Sequence, residues 1–172
     1  MNFKKIIFLI IFLFTNISIA QQDIEIKRKY TVEIERLVKN KKIKAAFAKI
    51  KELEPKTMKR HISLTEIPSP PFKESKRAAA FANHFKELGL DSLWIDSEGN
   101  VLGLFKGSKG NRTIALDAHL DTVFPEGTDV KVNIKNDTLF APGIGDDTRG
   151  LSMILTLIET MKATGITPKE NI

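Results

Sequence analysis

The tightest constraint on this chain is a succession over residues 112–164: a predicted strand, a His-x-Asp triplet at its tip, and then a glycine-rich loop whose two adjacent aspartates open a helix. Arg112 to Ala118, with Ile114 and Leu116, has the composition of a strand and runs straight into His119-Leu120-Asp121-Thr122-Val123. Side chains two apart on a strand leave the same face, about 7 Å apart along the chain, so Asp121 can reach one nitrogen of His119 while the other is free for a cation. The loop Pro142-Gly143-Ile144-Gly145-Asp146-Asp147 turns on its glycines into an amphipathic helix, Thr148 to Thr164, with Leu151, Ile154, Leu155, Ile158 and Met161 on one stripe and Gly165 as its stop. An aspartate at a helix start can cap free backbone N–H groups. A cap accounts for one of the pair, and Asp147 adjoins the helix. Asp146 or Asp147 can bridge two cations, and a cap alone leaves Asp146 unexplained.

Other readings of the same loop fail on residues. It lacks the third glycine of a dinucleotide fingerprint and the Gly-Lys-Ser/Thr of a phosphate loop. No His-Glu-x-x-His helix and no Gly-x-Ser-x-Gly elbow occurs in the chain.

The flanking sequence supplies the rest of an α/β layer structure. Upstream, Asp23 to Leu53 reads as one or two helices, with Ile34, Leu37, Val38, Ile43, Ala46, Phe47 and Ile50 at three- and four-residue steps. Ile67-Pro68-Ser69-Pro70-Pro71 is a rigid connector, expected as an ordered loop more than as a domain boundary. A helix follows from Lys73 to Leu88, with Gly89 as its stop and His84 as a surface residue with no ligand role. Strands are expected at Leu93 to Ile95 and Val101 to Lys106, and a hairpin from Val130 to Ile134 and Thr138 to Phe140 about Asn136-Asp137. The expected organisation is residues 1–20 as a signal peptide, 21–60 as an N-terminal helical segment, and 61–172 as the body that bears the His-x-Asp and Asp-Asp elements.

The net charge of +6 raises nucleic-acid binding as a function, and its distribution argues against it. Residues 21–60 hold 13 Lys or Arg against 6 Asp or Glu, whereas residues 61–172 hold 12 against 15. The basic excess therefore belongs to the solvated faces of the N-terminal helices, and no nucleic-acid partner is expected. Lys4 and Lys5 before the apolar run Ile6 to Phe14, with Ile17-Ser18-Ile19-Ala20 after it, make a secretory signal; the run is about half the roughly 20 residues of a membrane span. The expected location is secreted or periplasmic, with cleavage after Ala20 and no stable membrane insertion afterwards. With no cysteine in the chain there is no disulfide framework, and no lipid attachment is expected after the apolar run. The sequons at Asn111 and Asn136 are short enough to arise by chance.

Taken in order, Ile67-Pro68-Ser69-Pro70, Glu87-Leu88-Gly89-Leu90, Asp96-Ser97-Glu98-Gly99-Asn100-Val101, Ala118-His119-Leu120-Asp121-Thr122-Val123 and Gly143-Ile144-Gly145-Asp146-Asp147 resemble the zinc-dependent family of aminoacylases, glutamate carboxypeptidases and tripeptidases. The resemblance covers about residues 60–172. It implies an α/β fold with a mixed sheet flanked by helices, His119 as ligand to one zinc, Asp121 as the orienting active-site acid, and Asp146 as the bridge between two Zn2+ ions. It implies hydrolysis of amide bonds in small peptides, or in N-acyl amino acids if the protein is a deacylase, through a metal-activated water. The family's Glu-Glu pair, later acidic ligand, final His and lid or dimerisation domain find no match here, and Glu170 stands alone. The expectation is thus the N-terminal portion of a catalytic domain that binds zinc weakly and does not turn over by itself, with homodimerisation a property of a full-length form. The competing expectation is a non-catalytic exported remnant.

Overall fold

The computed structural model describes residues 26–172. The expected signal segment, Met1 to Ala20, lies outside the described residues. Four helices occur among those residues: α1 (Arg28–Lys39), α2 (Lys41–Thr65), α3 (Ser75–Leu88) and α4 (Thr148–Ala163). Four short strands accompany them: β1 (Ser92–Ile95), β2 (Val101–Leu104), β3 (Asn133–Lys135) and β4 (Thr138–Phe140). Among the described residues no helix is long and apolar enough to cross a membrane.

The chain divides into two units, Met1–Lys39 and Asn40–Ile172. In the first, α1 has no buried residue; Tyr30, Ile34, Leu37 and Val38 are all exposed. The second begins at Asn40, whose extended backbone starts a new helix and whose side chain accepts from Lys42 N at 2.8 Å. α2 runs unbroken through residue 60 and Pro55, so residues 41–60 belong with the body that follows. An internal proline removes one helical hydrogen bond. Packing against α4 outweighs that loss, because Leu53, Thr57, Arg60, His61, Leu64 and Thr65 lie buried at three- and four-residue steps. Thr57 and Thr156 share a hydroxyl hydrogen bond of 2.6 Å, and Glu159 accepts from Lys56 and Arg60 at 2.6 Å each.

Leu64 of α2, Phe81 and Phe85 of α3, and Leu151, Leu155 and Ile158 of α4 form the core. The two phenylalanine rings sit 4.6 Å apart at 57°. Ala118 and Leu120 pack partly buried against this cluster, which seats the His119 segment directly on the helices.

The expected mixed sheet is not what the described residues form. They make two separate antiparallel pairs: β1 with β2, register Ser92 to Leu104, and β3 with β4, register Asn133 to Phe140. The predicted strand Arg112 to Ala118 is extended backbone with one isolated parallel bridge, Thr113 to Asn171, and Ile114 and Leu116 half exposed. Composition predisposes a segment to extension, but a ladder requires a second backbone alongside, and Ile114 N to Asn171 O at 2.8 Å is what this segment finds.

Candidate metal centre

His119 stands where the extended segment leaves the core, and Asp146 stands at the mouth of α4. Their side chains meet: His119 Nε2 lies 2.7 Å from Asp146 Oδ1. On the other side of the ring, His119 Nδ1 lies 3.1 Å from Asp121 Oδ1 and 2.9 Å from Asp121 O. An N–H at Nδ1 donates to Asp121, which turns Nε2 toward Asp146. Asp146 is the open member, with its side chain 89 % exposed against 47 % for His119. The hydrogen bond to Asp146, opposed by partial burial and reinforced by Asp121, raises the His119 imidazole above its ordinary range. Two carboxylates around one imidazole make a locus that favours positive charge. Imidazole nitrogen and carboxylate oxygen are also the donors that zinc takes, so the residues present fit the ion. Among the described residues no group of three or more His, Asp or Glu side chains is gathered for a metal.

Asp147 has the other role expected for the pair. It is the N-cap of α4, its carboxylate accepting from Gly150 N at 3.0 Å. A Cβ at Gly150 would come within 2.3 Å of that carboxylate, so a larger residue there would push the capping side chain aside. The Asp146-Asp147 peptide is cis.

The two loops are held together by groups that carry no motif. Ser69, in the proline-rich connector, donates from its hydroxyl to Leu120 O at 2.8 Å and accepts from Thr122 N at 2.9 Å. Arg77, only 1 % exposed, donates to Leu120 O at 2.7 Å, Ile67 O at 2.6 Å and Thr65 O at 3.5 Å. Burial pushes its guanidinium down to about 10, opposed by the charge of Asp121, so it remains a cation at neutral pH. Beneath the glycine-rich loop, His61 Nε2 lies 2.5 Å from Ile144 O, and Thr148 Oγ1 donates to Gly143 O at 2.9 Å. Gly143 packs on Thr122, where a Cβ would meet its methyl at 2.7 Å. Sequence reading passed over His61 and Arg77. A hint existed in their spacing, since each falls on the apolar face of its helix, His61 with Leu53 and Leu64, Arg77 with Phe81 and Phe85. His84, expected at the surface, pairs loosely with Glu87 at 3.4 Å, well away in sequence from the centre.

The α/β body thus brings an imidazole and a carboxylate together from the end of an extended segment and the mouth of a helix. Residues 115–172 match Peptidase family M20/M25/M40. The chain is 33 % identical over 88 residues to Carboxypeptidase G2 of Pseudomonas sp. (strain RS-16), a match covering 47 % of this chain and 21 % of that protein. It is 27 % identical over 124 residues to the uncharacterized protein YqjE of Bacillus subtilis (strain 168), covering 66 % and 33 %. Protein YgeY of Escherichia coli (strain K12), also uncharacterized, is 31 % identical over 87 residues, covering 51 % and 21 %. The chain thus spans between a fifth and a third of the length of these relatives.

Proposed function

We propose that this chain supplies the zinc-facing extended segment and helix mouth of a hydrolase that cleaves amide bonds in small peptides. The observation that carries the reading is the convergence of His119 Nε2 and Asp146 Oδ1 at 2.7 Å from segments 27 residues apart. The match of residues 115–172 to a peptidase family and the likeness to a protein named as a carboxypeptidase support it. His119 and Asp146 would hold zinc, which supplies Lewis-acid polarisation of the scissile carbonyl and a water of lowered pKa. Asp121 fixes the tautomer and orientation of the His119 ring through Nδ1, a task that leaves Nε2 aimed outward. Asp146, with its carboxylate largely in solvent, has an oxygen to spare for a second ion. Asp147 is committed to the helix cap and takes no part in the chemistry.

A two-ion centre takes about five protein ligands, so activity is proposed for the polypeptide that joins these residues to the remaining ones. Export to the periplasm or the medium is proposed from the basic and apolar character of Met1 to Ala20 alone. The experiment is to assay the complete gene product against a panel of dipeptides and N-acyl amino acids. Hydrolysis is expected to fall to background on chelation, to return with Zn2+, and to be absent in His119→Ala. Chelator-resistant hydrolysis that survives His119→Ala would refute the proposal, and cleavage confined to N-acyl amino acids would make the protein a deacylase.

A further inference from the structure

We propose that His61 and Arg77 are positioning residues that set the separation of His119 and Asp146 by gripping the carbonyls beside them. The inference rests on the reading of those two residues as zinc-facing.

His119 and Asp146 lie on irregular loops, and neither loop is part of a strand ladder. Something else must fix their spacing, because a ligand pair that drifts by an ångström loses most of its pre-organisation. The carbonyl of Leu120 lies between His119 and Asp121, so a rotation of that peptide swings both side chains. Arg77 Nη1 holds it at 2.7 Å. The carbonyl of Ile144 lies two residues before Asp146, and His61 Nε2 holds it at 2.5 Å.

The two grips share one frame. Arg77 also holds Thr65 O at 3.5 Å and Ile67 O at 2.6 Å, at the end of the helix on which His61 sits. Thr65 Oγ1 in turn meets Thr148 Oγ1 at 2.7 Å, and Thr148 donates to Gly143 O. A continuous set of hydrogen bonds therefore runs from the His119 loop through Arg77 and the end of α2 to the Asp146 loop.

Economy of polar groups supports a directing role over a filling one. His61 and Arg77 are 5 % and 1 % exposed. Among the described residues, His61 Nδ1 and Arg77 Nε have no hydrogen-bond partner. Burying such groups is costly, and an apolar side chain of similar volume would fill either place at less expense. What the polar side chains add is direction, and each directs a metal-loop carbonyl.

The test uses the full chain and Zn2+ alone, titrated while the ring nitrogens of His119 are followed by proton–nitrogen correlation NMR, which reads even millimolar affinity. Circular dichroism verifies folding, and urea midpoints record stability. Three variants are compared with the unchanged chain: His61→Leu, which removes the donor; His61→Gln, which returns a donor at the same reach; and Arg77→Lys, which keeps the charge and loses the fork. His61→Leu and Arg77→Lys are expected to weaken zinc about tenfold or more, the range seen when orienting groups behind a metal site are removed. His61→Gln is expected to stay close to the unchanged chain. A folded His61→Leu protein with a lowered urea midpoint and an unmoved zinc affinity would show that the residue only fills space, overturning the inference and leaving the metal reading intact. No His119-dependent response in the unchanged chain would overturn both. If His61→Leu does not fold, the comparison passes to Thr148→Val against His61→Gln: weaker binding in the first alone supports the frame, and equal binding overturns it.

Discussion

Gly143 is the residue at which the two loops of the centre touch, and its replacement by alanine tests whether their apposition is as close as the structure has it. Two penalties apply. Its backbone is left-handed, at φ +74°, which costs a residue with a Cβ about 1–2 kcal/mol. The added methyl would also stand 2.7 Å from the Thr122 methyl, well inside van der Waals contact. Thr122 cannot easily retreat, being 3 % exposed with its amide bonded to Ser69 O at 2.9 Å. Overpacking of this kind adds about 1–3 kcal/mol. Alanine narrows the unfolded ensemble and returns about 0.4–1 kcal/mol. The net expectation is a loss of about 2–3 kcal/mol, or roughly 4–12 °C in Tm at the sensitivity of a domain this size. Gly145→Ala is the control two residues along, with no atom within 4 Å of its Cβ and no positive φ. It should lie within about 0.5 kcal/mol of the unchanged chain. Urea unfolding followed by circular dichroism and by the single tryptophan, Trp94, gives both values. Equal stabilities for the two variants would refute the close packing of the glycine loop on Thr122, and with it the account of how Asp146 is brought to His119.

Two further outcomes concern the same region. Asp147→Ala removes the α4 cap and should cost about 0.5–2 kcal/mol in urea unfolding, with little change for Asp147→Asn, since Asn caps nearly as well; equal losses in both would mean that the cap contributes nothing. Burial, opposed by the hydrogen bond to Ile144, lowers the His61 imidazole below 6.5, so the unfolded chain binds the proton more readily there. Its contribution to stability is therefore complete above pH 6.5 and lost as pH falls through the lowered folded value. Stability profiles of the unchanged chain and His61→Gln should differ by a constant amount above neutrality and draw together on acidification. A gain in stability of the unchanged chain relative to His61→Gln toward acid would reverse the sign of this argument.

Legibility of the sequence varied with the kind of force at work. Helices α3 and α4 were readable almost to the residue, because Phe81 and Phe85, and Leu151, Leu155 and Ile158, repeat on one face and glycines stop both helices. The second half of α2 was not. Apart from Leu64, its buried face is Thr57, Arg60, His61 and Thr65, polar residues whose burial depends on partners up to about 100 positions away. The strand expected over residues 112–118 was read from composition, which cannot supply the neighbouring backbone that a ladder needs. Of the candidate residues, His119, Asp121 and Asp146 could be chosen by residue type and spacing, and the division of labour between Asp146 and Asp147 by adjacency to the helix.

What the sequence determined by itself is the local chemistry: which segments turn, cap or present an apolar stripe, and which side chains have donor atoms suited to a cation. Each follows from neighbours within a few residues. Only the tertiary structure decided that His119 and Asp146 meet at 2.7 Å and that Ser69, Arg77 and His61 hold the loops that carry them. Those are distances between atoms far apart along the chain, set by how the core of α2, α3 and α4 closes, and a hydrogen bond to a backbone carbonyl leaves no trace in the identity of the residue that offers it.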